Sequence, residues 1–111
     1  MTDYKKIALK IGRMGFFTNI HNCGAPTESW PVNLYCEMKG LRFYVAEIKG
    51  SGWCIDYTRD SEIIKRADMI SISGIKNQTN ALLFVKALIN NLPVTRHANG
   101  TVTIEEEKRK D

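Results

Sequence analysis

Glu47 and Lys49 stand two positions apart at the end of a predicted strand, and this spacing places both side chains on one face. In metal-dependent nucleases, a Glu-x-Lys pattern of this kind holds a divalent cation through the carboxylate, while the lysine orients the attacking water. The pattern is common by chance, and such sites need a further acidic residue. Glu37 is expected to pair with Arg42 on the opposite face. Asp56, which lies downstream, could approach from the neighbouring strand. A minimal nuclease using Glu47 and Lys49 is therefore one alternative.

Three cysteines and two histidines are the other candidate reactive groups. His21, Cys23, Cys36 and Cys54 could form a tetrahedral zinc site, but the chain has no pair of cysteines at zinc-ligand spacing. A cysteine nucleophile would need contact with a histidine such as His97, which the sequence does not establish. Gly50-Ser51-Gly52 lacks the spacing of a phosphate-binding P-loop. We therefore expect no catalytic residue, no metal and no cofactor.

Aromatic and basic residues together suggest a binding surface, since rings stack on bases and cations neutralise phosphates. The candidate rings are Tyr35, Tyr44 and Trp53, and the candidate cations are Lys6, Lys10, Arg42, Lys49 and Arg59. A long stretch without clear periodicity, residues 16–31, would add hydrogen bonds from Asn19, His21 and Asn22.

The clearest local pattern is a hairpin over residues 33–48, with Lys39-Gly40 as a two-residue turn. This register pairs Met38 with Leu41, Cys36 with Phe43 and Leu34 with Val45 on one apolar face. On the other face it pairs Glu37 with Arg42 and Tyr35 with Tyr44, and both pairs are favourable across strands. If the strand continues unbroken, Glu47 would point inward, unless the strand end leaves the core or a bulge occurs near Ala46.

Periodicity predicts the remaining elements. Alternation predicts strands at 5–11, 53–57 and 70–72, with Lys6 and Lys10 on the same sheet face as Tyr35 and Tyr44. A short helix is expected from Thr58 or Asp60 to about Ala67, and a long, largely buried helix over 79–92. Asn99-Gly100 predicts a second two-residue turn, which would pair His97 with Val102 and Thr95 with Ile104.

These elements predict an α+β fold: a mostly antiparallel sheet of five to six strands, with one long and one short helix packed on one face. The chain of 111 residues is expected to form one domain over 1–104 and a charged, solvated tail over 105–111. The predicted core contains Ile7, Leu9, Ile11, Leu34, Phe43, Val45, Ile55, Leu82, Val85, Leu88, Ile89 and Leu92.

A formal net charge of +4 and a pI of about 9.1 favour an anionic partner. The polar N-terminus and the lack of a long apolar run predict a cytoplasmic protein with free thiols and no membrane span. The leading hypothesis is a small, non-enzymatic protein that binds nucleic acid or a nucleotide. The alternatives are the nuclease and an accessory inhibitor or adaptor, of the kind found in viruses and mobile elements, that binds another protein. Exposed apolar area around Phe16, Phe17 and Trp30 would favour the adaptor, and a free strand edge would suggest a homo-oligomer.

Overall fold

The computed structural model describes residues 4–14, 19–23, 33–38, 40–48 and 50–105. Within them lie two α-helices, a five-stranded antiparallel sheet and a two-stranded sheet, which confirms the predicted α+β class. In chain order the elements are α1 (Tyr4–Met14), β1 (Asn19–Cys23), β2 (Asn33–Met38), β3 (Leu41–Ile48), β4 (Gly52–Thr58), β5 (Ile70–Ile75), α2 (Gln78–Ile89), β6 (Val94–Arg96) and β7 (Val102–Ile104). The predicted tail and most of the 16–31 stretch, including Phe16, Phe17 and Trp30, lie outside the described residues.

The large sheet is a meander in which each strand pairs with the next along the chain, in the order β1-β2-β3-β4-β5. All five residue pairs predicted for the first hairpin are present between β2 and β3. The predicted strands at 53–57 and 70–72 are also present, as parts of β4 and β5. The register between β3 and β4 continues unbroken to Ile48 opposite Gly52.

One face of this sheet, the core face, carries Leu34, Phe43, Val45 and Ile55, all of which are buried. Both helices pack against it and contribute Ile7 and Ile11 from α1, and Ala81, Leu82, Phe84, Val85 and Leu88 from α2. Burying each large side chain of this kind stabilises the fold by about 1.5–3 kcal/mol. The helices therefore cover the same side of the sheet, as predicted.

The first element is a helix, and the predicted strand at 5–11 is wrong. Ile7 and Ile11 are both buried, as expected for residues one helical turn apart, whereas Leu9 is 62% exposed and is not part of the core. Ile7, Leu9 and Ile11 fit an alternating pattern, but two of the three also fit a helical period. In so short a segment, the spacing of apolar residues does not distinguish a strand from a helix.

The α2 helix begins one residue before the predicted start and ends earlier than predicted. The Asn77 side chain accepts a hydrogen bond from the Asn80 backbone N–H at 3.0 Å, which caps the first turn. Asn91 adopts a left-handed conformation (φ 54°) just beyond the helix, a conformation typical of helix ends. Ile89 and Leu92, predicted core residues, are only half-buried.

The connector between β4 and β5 (residues 59–69) contains only a 3₁₀ turn at Arg66–Asp68, so the predicted helix to Ala67 is wrong. Thr58 and Asp60 instead accept local hydrogen bonds from the backbone N–H groups of Asp60 and Glu62, at 3.0 and 2.9 Å. Such bonds compete with a helix. Arg42 also donates to the carbonyls of Asp60 and Ile63.

The second hairpin has a five-residue loop, 97–101, rather than the predicted two-residue turn. Thr95 lies opposite Thr103 and Arg96 opposite Val102, so the predicted pairing is off by one residue. The Asn99 side chain accepts hydrogen bonds from the Thr101 N–H and hydroxyl at 3.1 and 2.7 Å, and these stabilise the longer loop.

Gly52 and Gly50 form a matched pair for testing the turn between β3 and β4. Both have positive φ angles, of 82° and 80°, but a Cβ at Gly52 would lie 2.4 Å from the Ile75 carbonyl oxygen, whereas nothing lies within 4 Å at Gly50. We expect Gly50→Ala to destabilise the protein by about 1–2 kcal/mol, the cost of a left-handed alanine. Gly52→Ala should cost clearly more, since β5 must also move. Urea unfolding of both variants checks this, and equal costs would contradict the close approach.

Candidate functional site

The face of the sheet opposite the helices, the polar face, carries a row of polar residues at one level. Tyr35, Tyr44, Asp56 and Ser71 lie opposite one another on β2, β3, β4 and β5. The backbone register places His21 of β1 at the same level, opposite Tyr35. Because side chains alternate between faces, the side chains of Tyr35, Tyr44, Asp56 and Ser71 face away from the core.

Tyr35 and Tyr44 form the aromatic pair that the sequence predicts. Their ring centroids are 4.9 Å apart with an interplanar angle of 44°. Partial burial and the nearby Glu37 carboxylate raise the pKa of Tyr35 above its usual value. The Arg66 guanidinium lies over the Tyr44 ring, 4.3 Å from its centroid, within the range of a cation–π contact. A protein side chain therefore already occupies one face of the Tyr44 ring.

Arg66 also forms an ion pair with Asp56, at 2.5 Å between Nε and Oδ2. The Asp56 residue is only 4% exposed, and a buried carboxylate without a partner would be strongly unfavourable. Together with the Arg42 bonds to the connector carbonyls, this pair fixes the connector on the polar face. We call these contacts of Arg42, Asp56 and Arg66 the connector latch.

Two further candidate ligand-binding residues also have structural roles. Arg59 donates a hydrogen bond to the Leu88 carbonyl oxygen at 2.5 Å, at the C-terminal end of α2, where cations stabilise a helix. Trp53 is 4% exposed and belongs to the core cluster, so its ring does not offer the exposed stacking surface predicted for it. Asn19, His21 and Asn22 lie on β1 rather than in a loop, and Lys49 lies outside the described residues.

The incorrect strand assignment predicted that Lys6 and Lys10 share a sheet face with the tyrosines, and the structure shows that they do not. They lie on α1, which packs on the opposite side of the sheet. Helical spacing groups them with Leu9 and Arg13 on one exposed side, which we call the basic face of α1. The helix contains four basic residues and no acidic residue. Its charge therefore equals the formal +4 of the entire chain, and the rest of the sequence is balanced.

The nuclease pattern does not come together in the described residues. Glu47 is exposed and lies opposite Trp53, so the strand end leaves the core without a bulge at Ala46. Asp56 is three residues beyond Trp53 on β4 and faces the other side of the sheet. The two carboxylates that such a site would need are on opposite faces.

Cys36 and Cys54 are also on opposite faces and are both buried. The described parts of the chain contain no group of three or more His, Cys, Asp or Glu side chains that could hold a metal ion. The Cys54 sulfur lies 3.5 Å from Asp56 Oδ1 and 3.7 Å from the Ser71 hydroxyl. Burial, and then the Asp56 charge, raise the pKa of the Cys54 thiol, which opposes a nucleophilic role.

Sequence reasoning missed the connector latch. Asp56 could have been recognised as a polar position between Ile55 and Tyr57 on a buried strand. No local pattern indicates Arg66, because its partner lies ten residues away across a connector without regular periodicity.

No family model, no curated protein and no solved structure matches this chain. No helix among the described residues is long and apolar enough to cross a membrane. Any functional conclusion therefore depends on the chain's own geometry.

The connector latch predicts strong coupling between Asp56 and Arg66. Arg66→Met should destabilise the protein by about 3–5 kcal/mol, because it leaves the buried carboxylate without its counter-ion. Asp56→Asn/Arg66→Met should cost less than the sum of the two single changes. A double-mutant cycle by urea unfolding measures the coupling, and strictly additive costs would contradict the latch.

The raised pKa of Cys54 predicts a protonated, slowly reacting thiol at pH 8. Labelling with iodoacetamide, followed by peptide mass spectrometry, should show Cys54 reacting far more slowly in the folded protein than in urea. The thiol of the unfolded chain ionises near pH 8.5, whereas the folded protein keeps this thiol protonated. The free energy of unfolding therefore falls as the pH rises above that value. Cys54→Ala should remove this part of the pH dependence. Equal labelling rates with and without urea would contradict the assignment.

Proposed function

We propose that this chain is a non-enzymatic protein that binds nucleic acid through the basic face of α1. The observation that supports this most strongly is the concentration of charge: the helix carries four positive residues and no negative one, while the remainder of the chain is neutral overall. A basic stripe along one helix is the usual electrostatic feature of such proteins.

The helix is anchored to the sheet through its buried side, which favours binding with little loss of conformational freedom. Ile7 is 1% exposed and Ile11 is fully buried, and both pack in the core cluster with Leu34 and Cys36 of β2. The opposite side of the same helix therefore points to solvent, with Lys6, Lys10 and Arg13 exposed on it. The first and last of these residues are seven positions apart, or roughly 10 Å along the helix axis. That length suits successive phosphates of a polymer better than one nucleotide.

The polar face is a weaker candidate for the same partner. Its two arginines are both engaged, Arg42 with connector carbonyls and Arg66 with Asp56. Arg66 also lies over the Tyr44 ring. A base that stacked there would have to displace an ion-paired side chain.

A membrane surface is the alternative polyanion, and the composition of the helix disfavours it. Interfacial helices bury a broad apolar side in the lipid. In α1 the isoleucines are committed to the protein core, and Leu9 is the large apolar residue left exposed among the cations. Nucleic acid needs no such apolar area, because binding to phosphates is mainly electrostatic.

Removing two cations from α1 should weaken binding and its dependence on salt. We expect Lys10→Gln/Arg13→Gln to reduce affinity at least tenfold, and to make the slope of log K against log salt shallower by roughly two charges. Fluorescence anisotropy with labelled single-stranded and duplex DNA of roughly 20 nucleotides, between about 50 and 200 mM salt, measures both quantities.

The matched control is Lys65→Gln/Lys76→Gln, which removes the same charge from two exposed lysines on the connector and just after β5. It should retain most of the affinity. If both double variants lose affinity for DNA equally, the affinity depends only on net charge, and this result would contradict a site on α1. Binding to vesicles containing phosphatidylserine, with none to either DNA, would also overturn the proposal.

A further inference from the structure

Among the described residues, β5 ends the large sheet, and no strand of this part of the chain pairs with its outer edge over residues 70–73. β4 is its one hydrogen-bonding neighbour in the sheet. Among the described residues, no backbone hydrogen bond from another element reaches this part of the edge. The edge is closed only beyond the strand, where the Lys76 N–H donates to the Gly100 carbonyl at 2.8 Å. An open edge of this kind presents N–H and C=O groups that can pair with another strand.

β5 lacks two of the features that usually protect such an edge. Its sequence, Ile70–Ile75, contains no charged residue and no proline, and these are the common means of blocking edge pairing. Ile70 is 56% exposed, and Ile64 on the preceding connector is 79% exposed. The register shift opposite Trp53–Ile55, near Ser73-Gly74, limits the regularly paired part of β5 before the shift to Ile70, Ser71 and Ile72.

We propose that this edge pairs with the same edge of a second copy of the chain, antiparallel and about a twofold axis, to form a continuous ten-stranded sheet. The pattern of β5 is self-complementary. Ile70 and Ile72 lie on the side of the core face, and Ser71 on the polar side, because they stand opposite Tyr57, Ile55 and Asp56. Period-two alternation then lets isoleucines meet isoleucines and serines meet serines across the new interface.

The charges at the two ends of the strand favour a second copy in antiparallel orientation. Asp68 precedes the strand and Lys76 follows it, and both are exposed. Antiparallel pairing brings the Asp68 end of one copy beside the Lys76 end of the other, twice, whereas parallel pairing would place like charges together. The uncharged strand between them allows two positively charged chains to approach.

The dimer should be reversible, because so short a ladder belongs to the small, weak class of interfaces. Sedimentation velocity of nuclease-treated protein in high salt, which removes nucleic-acid bridging, should show dimer increasing over roughly 1–100 μM. Ile70→Lys should be monomeric throughout this range, since it places a charged side chain opposite an isoleucine of the second copy at the new interface. Circular dichroism and urea unfolding verify that the variant is folded.

The matched control is Leu9→Lys, the same kind of change at an equally exposed apolar residue on α1, and it should dimerise as the wild type does. If Ile70→Lys fails to fold, Ser73→Lys on the exposed part of the same edge gives the same test. A wild-type monomer at all concentrations would overturn the proposal. The proposal would also be overturned if both β5 variants still dimerise, or if Leu9→Lys disrupts the dimer as much as the β5 variants do. None of these outcomes depends on nucleic-acid binding.

Discussion

The alternation of side chains along β3 is the constraint on which the rest of this structure depends. Leu41, Phe43 and Val45 face one way, while Arg42 and Tyr44 face the other. The register with β2 and β4 extends this division to neighbouring strands, and a slip of one residue would reverse it. Both helices pack on the apolar side. The polar side instead receives the connector, and each later feature follows from that separation.

The same separation gives two sets of cations different surroundings. Arg42, Arg59 and Arg66 are engaged by carbonyl oxygens or a carboxylate and hold the connector and the end of α2 in place. Arginine suits this role because its planar fork binds several acceptors. The cations of α1 are placed on a solvent-facing side by the burial of Ile7 and Ile11 beneath them. If two copies join at β5, both α1 helices lie on the same side of the joined sheet, because each copy carries them on its core face.

The hairpin of β2 and β3 could be predicted from the sequence residue by residue, because its turn, apolar pairs and polar pairs all require one register. The first element could not, since Ile7 and Ile11 satisfy both periods and only the three-dimensional core shows that Leu9 is excluded. That error also placed Lys6 and Lys10 on the wrong side of the sheet. The second hairpin failed for a local reason: Asn99 uses its side chain within the loop instead of forming a two-residue turn. Arg66 was missed because its role arises from contacts distant in sequence.

We propose that the basic face of α1, and not the polar face of the sheet, contacts nucleic acid. The most direct measurement is a titration of isotope-labelled protein with a short single-stranded DNA, followed by nuclear magnetic resonance. Binding at α1 predicts that the largest chemical-shift changes fall on Lys6, Leu9, Lys10 and Arg13, with little change at Tyr35, Tyr44 and Arg66. Changes concentrated on the tyrosine row, or no changes at saturating DNA, would contradict it.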